Sequence, residues 1–403
     1  MGLALALSVI LIRALPLEEL GSFYAISTLA YFGNALFLVG ADFALQRRLR
    51  DLSTRHRLDR RALARYMGRA LVPGMVASSV LAVLVARFGP PVLSIASTPF
   101  ASLAVIAILC SLIAAATFIV GVLRNLLQIA GEAHRVGVSL VLEAGLRLLA
   151  CALALTLAGP TAWAMLAAHL VASLVLIAPL AVQVVQSTQS EDDPALARLV
   201  PGDVRQTLVP VGVGGVLNWL QLQGYRPLVG QVYDNSALVG AVSFLTALGG
   251  TVTLAVLGVA GQMATPRQFS SGGASSWRFV RLATGLTLVL TVLAWPCATI
   301  FLHLLGKDEL IGLEYLVCAG VLVDGGNFIL GVLGNHVSLA GKTFMPAMWA
   351  GMAGFLAVAI LLLGAGEAGS LGPASLGLSL VVGQALALVV MTGFALRYRV
   401  DKH

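Results

Sequence analysis

Glu143 and Arg147 stand four residues apart inside a long apolar run, which puts both on one helix face. Glu before Arg is the favourable order for an intrahelical ion pair. An ionised group inside a membrane costs about 2.5–3.5 kcal/mol on insertion scales, so each one needs a reason. Two readings stand. In one, the pair is a neutral brace facing the helix bundle. In the other, Arg147 faces a cavity where its planar fork meets a phosphate, and Glu143 holds it or takes protons as phosphate displaces it.

Arg226 follows Gly224 and Tyr225 and precedes Pro227, so the helix before it ends or breaks there. A broken helix frees backbone groups for a binding site; the competing reading is an arginine snorkelling to the outer interface. Upstream, Asn218 and Gln221 can hydrogen-bond sugar hydroxyls or neighbouring helices. Asp324 precedes Gly325, Gly326 and Asn327 within an apolar run, which fits a cation or proton site or a kinked helix beside glycine. His169 and His336 read as satisfied bundle histidines. Cys110, Cys151, Cys297 and Cys318 lie in apolar segments, without metal-ligand spacing or a disulfide framework. No cofactor or catalytic motif is complete. Gly341, Lys342 and Thr343 resemble the end of a phosphate loop, but His336 stands in the first glycine slot. The glycines of 212–215 read as small residues for close helix packing.

The elements that hold these residues are membrane helices. Of 403 residues, 59% are hydrophobic and only 11% charged, against roughly 25% charged in a soluble domain. A bilayer core of about 30 Å takes about 20 apolar helical residues. Twelve such spans are read, at 1–15, 20–41, 70–87, 101–123, 138–158, 161–185, 207–225, 238–263, 280–302, 312–336, 344–363 and 373–396. The first is short, reading as a short helix or a start assigned too far downstream. With both termini cytoplasmic, twenty of the 25 Lys and Arg fall inside, Arg124 among them. Arg13, Arg87, Arg226 and Lys307 fall outside, and Arg147 is mid-span. That bias fits the positive-inside rule and a multi-pass protein of the plasma membrane. Nine arginines crowd into 47–69, with Asp42 just ahead, and the block suits anionic membrane lipids rather than nucleic acid.

The polar stretch 186–206 reads as a cytoplasmic linker between six-helix lobes 1–185 and 207–403. A weak internal repeat agrees. Gly21 precedes Arg48 by the same interval as Gly240 precedes Arg267, an offset of 219 residues between halves. Ala130-Gly131-Glu132 and Ala340-Gly341-Lys342 recur at an offset of 210. Two six-helix halves imply parallel repeats about an axis normal to the membrane.

The stretch RALPLEELGSFYAISTLAYFGNALFLVGADFALQRRL (13–49) resembles the N-terminal signature of the polysaccharide-exporter branch of the multidrug/oligosaccharidyl-lipid/polysaccharide (MOP) superfamily. GVLRNLLQIAGEAHRVGVSLVLEAGLRLL and LNWLQLQGYRPLVGQVYDNSALVGAVSFLTALGG are similar to later segments of that branch. The chain departs at Tyr225, where the branch often has an acidic residue. The resemblance implies an all-α, MATE-like fold of about twelve transmembrane helices, in two lobes around a central cavity. It implies a Wzx-type transporter, not an enzyme, flipping an undecaprenyl-diphosphate-linked oligosaccharide across the bacterial inner membrane. Arg147 and Arg226 would clamp the diphosphate, Glu143 or Asp324 would couple protons or sodium, and Asn218 and Gln221 would face the cavity. Two alternatives are an antiporter of small organic cations, whose cavity needs carboxylates, and a membrane glycan polymerase or ligase. No outer loop exceeds about 15 residues, which suits bare connections rather than a catalytic loop.

Overall fold

The structure, a computed structural model, describes residues 2–33, 35, 72–81, 83–84, 103–129, 132–187, 201–226, 236–271, 273–341, 345–370 and 372–398. The arginine block 47–69, Asp42 and residues 188–200 of the polar stretch lie outside the described residues. Among the described residues every regular element is helical. In chain order these are α1 (Gly2–Ala14), α2 (Leu17–Gly33), α3 (Val72–Leu81), α4 (Leu103–Ile129), α5 (Ala133–Ala158) and α6 (Ala162–Ser187). Then come α7 (Pro201–Leu222), α8 (Ser236–Ser270), α9 (Ser276–Leu305), a short 3-10 turn (Asp308–Leu310), α10 (Tyr315–Gly341), α11 (Met345–Glu367) and α12 (Pro373–Arg397). Among the described residues each expected span holds a helix. Among the described residues eight are long and apolar enough to cross a membrane: α4, α5, α6, α8, α9, α10, α11 and α12.

The helix ends follow from local chemistry. Pro16 stops α1 and opens α2, whose Glu18 and Glu19 sit where the helix dipole favours anions. Glu19 Oε2 accepts the Ala162 N–H at 2.7 Å, capping α6. α5 ends at Gly159, whose φ of +79° only glycine adopts readily, and Pro160 follows.

Contacts divide the chain into two units. One is Ala14–Val216; the other joins Met1–Arg13 to Leu217–His403, with the seam inside α7. Within the second, Arg13 donates to the Leu304 carbonyl near the end of α9 at 2.7 Å. The two units share a packing plan. In the first, α2 packs on α4, α4 on α6, and α5 on α6. In the second, α8 packs on α10, α10 on α12, and α11 on α12. The α8–α10 seam needs glycine. A Cβ at Gly249 would land on the Val317 carbonyl, and one at Gly320 on the Thr246 carbonyl, so the backbones touch directly. Gly215 in α7 likewise lies against the Ala35 carbonyl.

Candidate functional site

In the first unit, Glu143 and Arg147 do form the ion pair their spacing implies, at 2.5 Å. The neutral-pair reading needs correcting, because a third charge completes the group. Arg124 of α4 reaches the other carboxylate oxygen, Glu143 Oε2, at 2.6 Å. The charge count placed Arg124 in an inner connection. Instead α4 runs on to Ile129 and carries Arg124 in its body, at the end of the apolar window Ala107–Arg124. One carboxylate therefore bridges two guanidinium groups, and the cluster keeps a net charge of +1.

Arg124 is fixed from several sides. Its Nε donates to Ser139 Oγ at 2.9 Å and its Nη2 to the Ser139 carbonyl at 3.0 Å. Ser139 is buried, and its hydroxyl donates to the Val136 carbonyl at 2.7 Å. Arg147 is held less completely: its Nε is buried and has no hydrogen-bond acceptor. Arg147 sits near the middle of the α5 window His134–Ala158. Its charge acts on His169 of α6, whose Nε2 is also buried without a partner and whose ring meets Phe23 edge-on at 5.3 Å. The three charged side chains are 13–24% exposed, so they are mostly enclosed but reachable.

The second unit holds an amide ladder. Asn218 of α7 donates to Asn327 of α10 at 3.4 Å, and Gln221 donates to Gln384 of α12 at 2.7 Å. Gln221 and Gln384 are 0% and 2% exposed. One atom of each amide, Gln221 Oε1 and Gln384 Nε2, stays buried and unbonded. Gly354 and Gly326 make room: a Cβ at either would strike the Gln221 or the Gln384 amide.

Asp324 lies on α10, against Gly250 of α8, where a Cβ would fall on its Oδ2. Among the described residues it makes no ion pair or hydrogen bond, and the charge acting on it is Arg226. Arg226 comes after the end of α7 at Leu222 and the turn at Gln223 and Gly224. It lies 5.6 Å from the centre of the Tyr225 ring, with Nε at 3.4 Å from the Tyr225 hydroxyl and Nη1 at 3.3 Å from Gln223 Oε1. Tyr225 is fully buried and its hydroxyl reaches Thr246 Oγ1 at 3.5 Å. So Tyr225 holds Arg226 by its ring face and hydroxyl instead of by charge.

Arg147 and Arg226 belong to different units. His336 is a structural tie: its ring nitrogens lie 3.2 and 3.1 Å from the carbonyls of Gly273 and Tyr398. Among the described residues no three His, Cys, Asp or Glu side chains group as metal ligands.

No family model and no curated protein sequence matches the chain. Solved structures do match it in shape, nearly end to end. A eukaryotic MATE transporter superposes with a TM-score of 0.62 at 13% identity, over 98% of this chain and 89% of its own. A MOP superfamily transporter from Pyrococcus furiosus gives 0.61 at 17%, over 98% and 91%. This is the MATE-like fold. The lipid II flippase MurJ, in an inward closed conformation, shares it with a TM-score of 0.58 at 11% identity, over 96% and 85%. On this fold, α4 and α5 carry the charge cluster, and α7, α8, α10 and α12 carry the amide ladder and Asp324.

Proposed function

We propose that this protein is a MOP-superfamily transporter that flips a lipid-diphosphate-linked oligosaccharide, of the undecaprenyl-diphosphate type, across the bacterial inner membrane for polysaccharide export. The observation that carries the reading is the net-positive Arg124–Glu143–Arg147 cluster, which joins the end of the α4 apolar window to the interior of the α5 window. A carrier of cations would need the opposite sign there, whereas a diphosphate supplies the missing negative charge. The fold shared with the lipid II flippase MurJ supports the same substrate class. Arg147 and Arg226 neutralise the diphosphate as the carrier alternates access. Asn218 meets sugar hydroxyls, and Gln221 braces the helix that carries it. Glu143 or Asp324 binds the coupling proton or sodium. The block 47–69 holds anionic lipid on the cytoplasmic side, where both termini lie.

Asp324 favours a second reading. A carboxylate without an ion pair inside a helix bundle suits a small organic cation, and one transporter of this fold is a multidrug resistance MATE family transporter. One experiment separates the two. Undecaprenyl-diphosphate glycans are extracted from cells lacking the protein, and their sidedness is tested in sealed vesicles with a lectin. Accumulation on the cytoplasmic face, relieved by the wild type and not by Arg226→Ala, is the expected result. Unchanged lipid intermediates together with altered drug resistance would favour the antiporter.

A further inference from the structure

We propose that Arg124, Glu143 and Arg147 form a phosphate-binding subsite in which Glu143 is a built-in competitor, occupying the donors that a phosphate group takes when it binds. The choice of a diphosphate ligand rests on the function proposed above; the subsite itself rests on the geometry. Glu143 spends one oxygen on each arginine, at 2.6 and 2.5 Å, so a single anion already bridges both forks. A phosphate group offers the same bridging acceptors with more oxygens and more charge. The cluster keeps one positive charge that Glu143 does not cancel. An uncancelled charge within an apolar helix calls for an anion.

The two arginines are prepared differently. Arg124 is locked by both the hydroxyl and the carbonyl of Ser139, so its fork is oriented before any ligand arrives. Arg147 has a buried Nε–H with no acceptor. On α6, His169 Nε2 is likewise buried and unpaired, and its ring feels the Arg147 charge. Buried polar groups in proteins are nearly always paired, and exceptions ask for an explanation. Here one exception belongs to Arg147 itself, where an incoming phosphate oxygen would accept from Nε while Glu143 gives way. Arg124 is then a binding residue in its own right.

The test uses the full chain in nanodiscs of phosphatidylcholine, which carry no competing anionic lipid. The probes are farnesyl diphosphate, inorganic pyrophosphate and, as uncharged control, farnesol. Affinity is read by isothermal titration calorimetry on monodisperse protein. Losing two charge-assisted contacts should weaken farnesyl diphosphate binding about tenfold or more in Arg124→Gln, with partial recovery in Arg124→Lys. Removing the competitor should tighten binding several-fold in Glu143→Gln. That sign is decisive, because a merely structural Glu143 would lower affinity or leave it alone when lost. Should Arg124→Gln or Glu143→Gln not fold, Arg124→Lys, which keeps the charge and loses the fork, still decides the matter: unchanged farnesyl diphosphate affinity in it would overturn the subsite. Farnesyl diphosphate binding that ignores all three variants would overturn the subsite while leaving the flippase reading intact. Pyrophosphate bound as tightly as farnesyl diphosphate, with the same response to the variants, would uphold the subsite and count against a lipid-linked ligand. No binding of either probe by the wild type or Glu143→Gln would overturn the subsite.

Discussion

Replacing Glu143 by Gln should destabilise the protein more than removing either arginine, and adding Arg124→Gln to it should restore part of the loss. The two Nη2 atoms lie 2.6 and 2.5 Å from the two oxygens of one carboxylate. They cannot then be further apart than about 7 Å, and two unit charges at that distance repel by about 2 kcal/mol at an effective dielectric of 20. In the wild type the carboxylate more than offsets this. In Glu143→Gln the repulsion stands uncovered and two charge-assisted contacts are gone, for an expected loss of about 3 kcal/mol. Arg124→Gln leaves the neutral Glu143–Arg147 pair and should cost about 1–2 kcal/mol. The double variant leaves only Arg147, and should be about 1 kcal/mol more stable than Glu143→Gln, a coupling of the size seen within charge networks. Unfolding by SDS in mixed micelles, followed by tryptophan fluorescence, measures all four proteins. Arg124→Gln must destabilise the wild type and stabilise Glu143→Gln. Simple additivity of the two single changes would refute a shared carboxylate.

Three other expectations follow from the same geometry. Gly320→Leu places its side chain on the Thr246 carbonyl; overpacking there should cost about 3 kcal/mol or more and abolish monodisperse protein in size-exclusion chromatography, whereas Gly331→Ala, with open space around it, should elute as the wild type does. Gln384→Leu strands the Gln221 amide and should lower stability by about 1–3 kcal/mol, while Gln221→Leu with Gln384→Leu should recover most of it in the SDS titration. An alkaline phosphatase fused after His403 should be inactive and a fluorescent protein fused there should be bright, as the positive-inside rule predicts from Arg397, Arg399 and Lys402.

Much of the fold was legible because hydropathy reports what must sit in hydrocarbon. Among the described residues each of the twelve apolar runs holds a helix, and the glycines of 212–215 read as packing residues were right at Gly215, which lies against the Ala35 carbonyl. The ends were less legible. α4 was expected to stop at 123 and runs to Ile129; α7 was expected from 207 and starts at Pro201; α8 was expected to end at 263 and reaches Ser270. Apolar run length marks the bilayer crossing, while helical hydrogen bonds continue into the polar boundary, where Pro201 also suits a helix start. That gap hid Arg124: a charge just past the expected span was counted with the loop, although Leu126, Leu127 and Ile129 carry the apolar pattern onward. The Glu143–Arg147 contact was readable because it is local. The Asn218–Asn327 and Gln221–Gln384 contacts were not, since they join helices 109 and 163 residues apart. The one available signal was that Gln384 is a lone amide in an apolar helix.

The repeated packing plan bears on whether the charge cluster is needed for folding. α11 packs on α12 as α5 packs on α6, so the two helices hold corresponding places. Yet α11 carries no charge between Met345 and its last residue, Glu367, while α5 carries Glu143 and Arg147 in its interior. The same divergence separates α10 from α4: one has the carboxylate of Asp324, the other the guanidinium of Arg124. The second unit thus builds the same arrangement of helices without the bridged arginines. A scaffold that packs this way without them does not depend on two guanidiniums and a carboxylate, each costing about 2.5–3.5 kcal/mol to insert, although once present the three stabilise one another. What the second unit has instead is a neutral amide ladder, which ties helices together at far lower electrostatic cost. That contrast fits the proposal made above, in which the net positive charge of the first unit's cluster receives an anionic ligand.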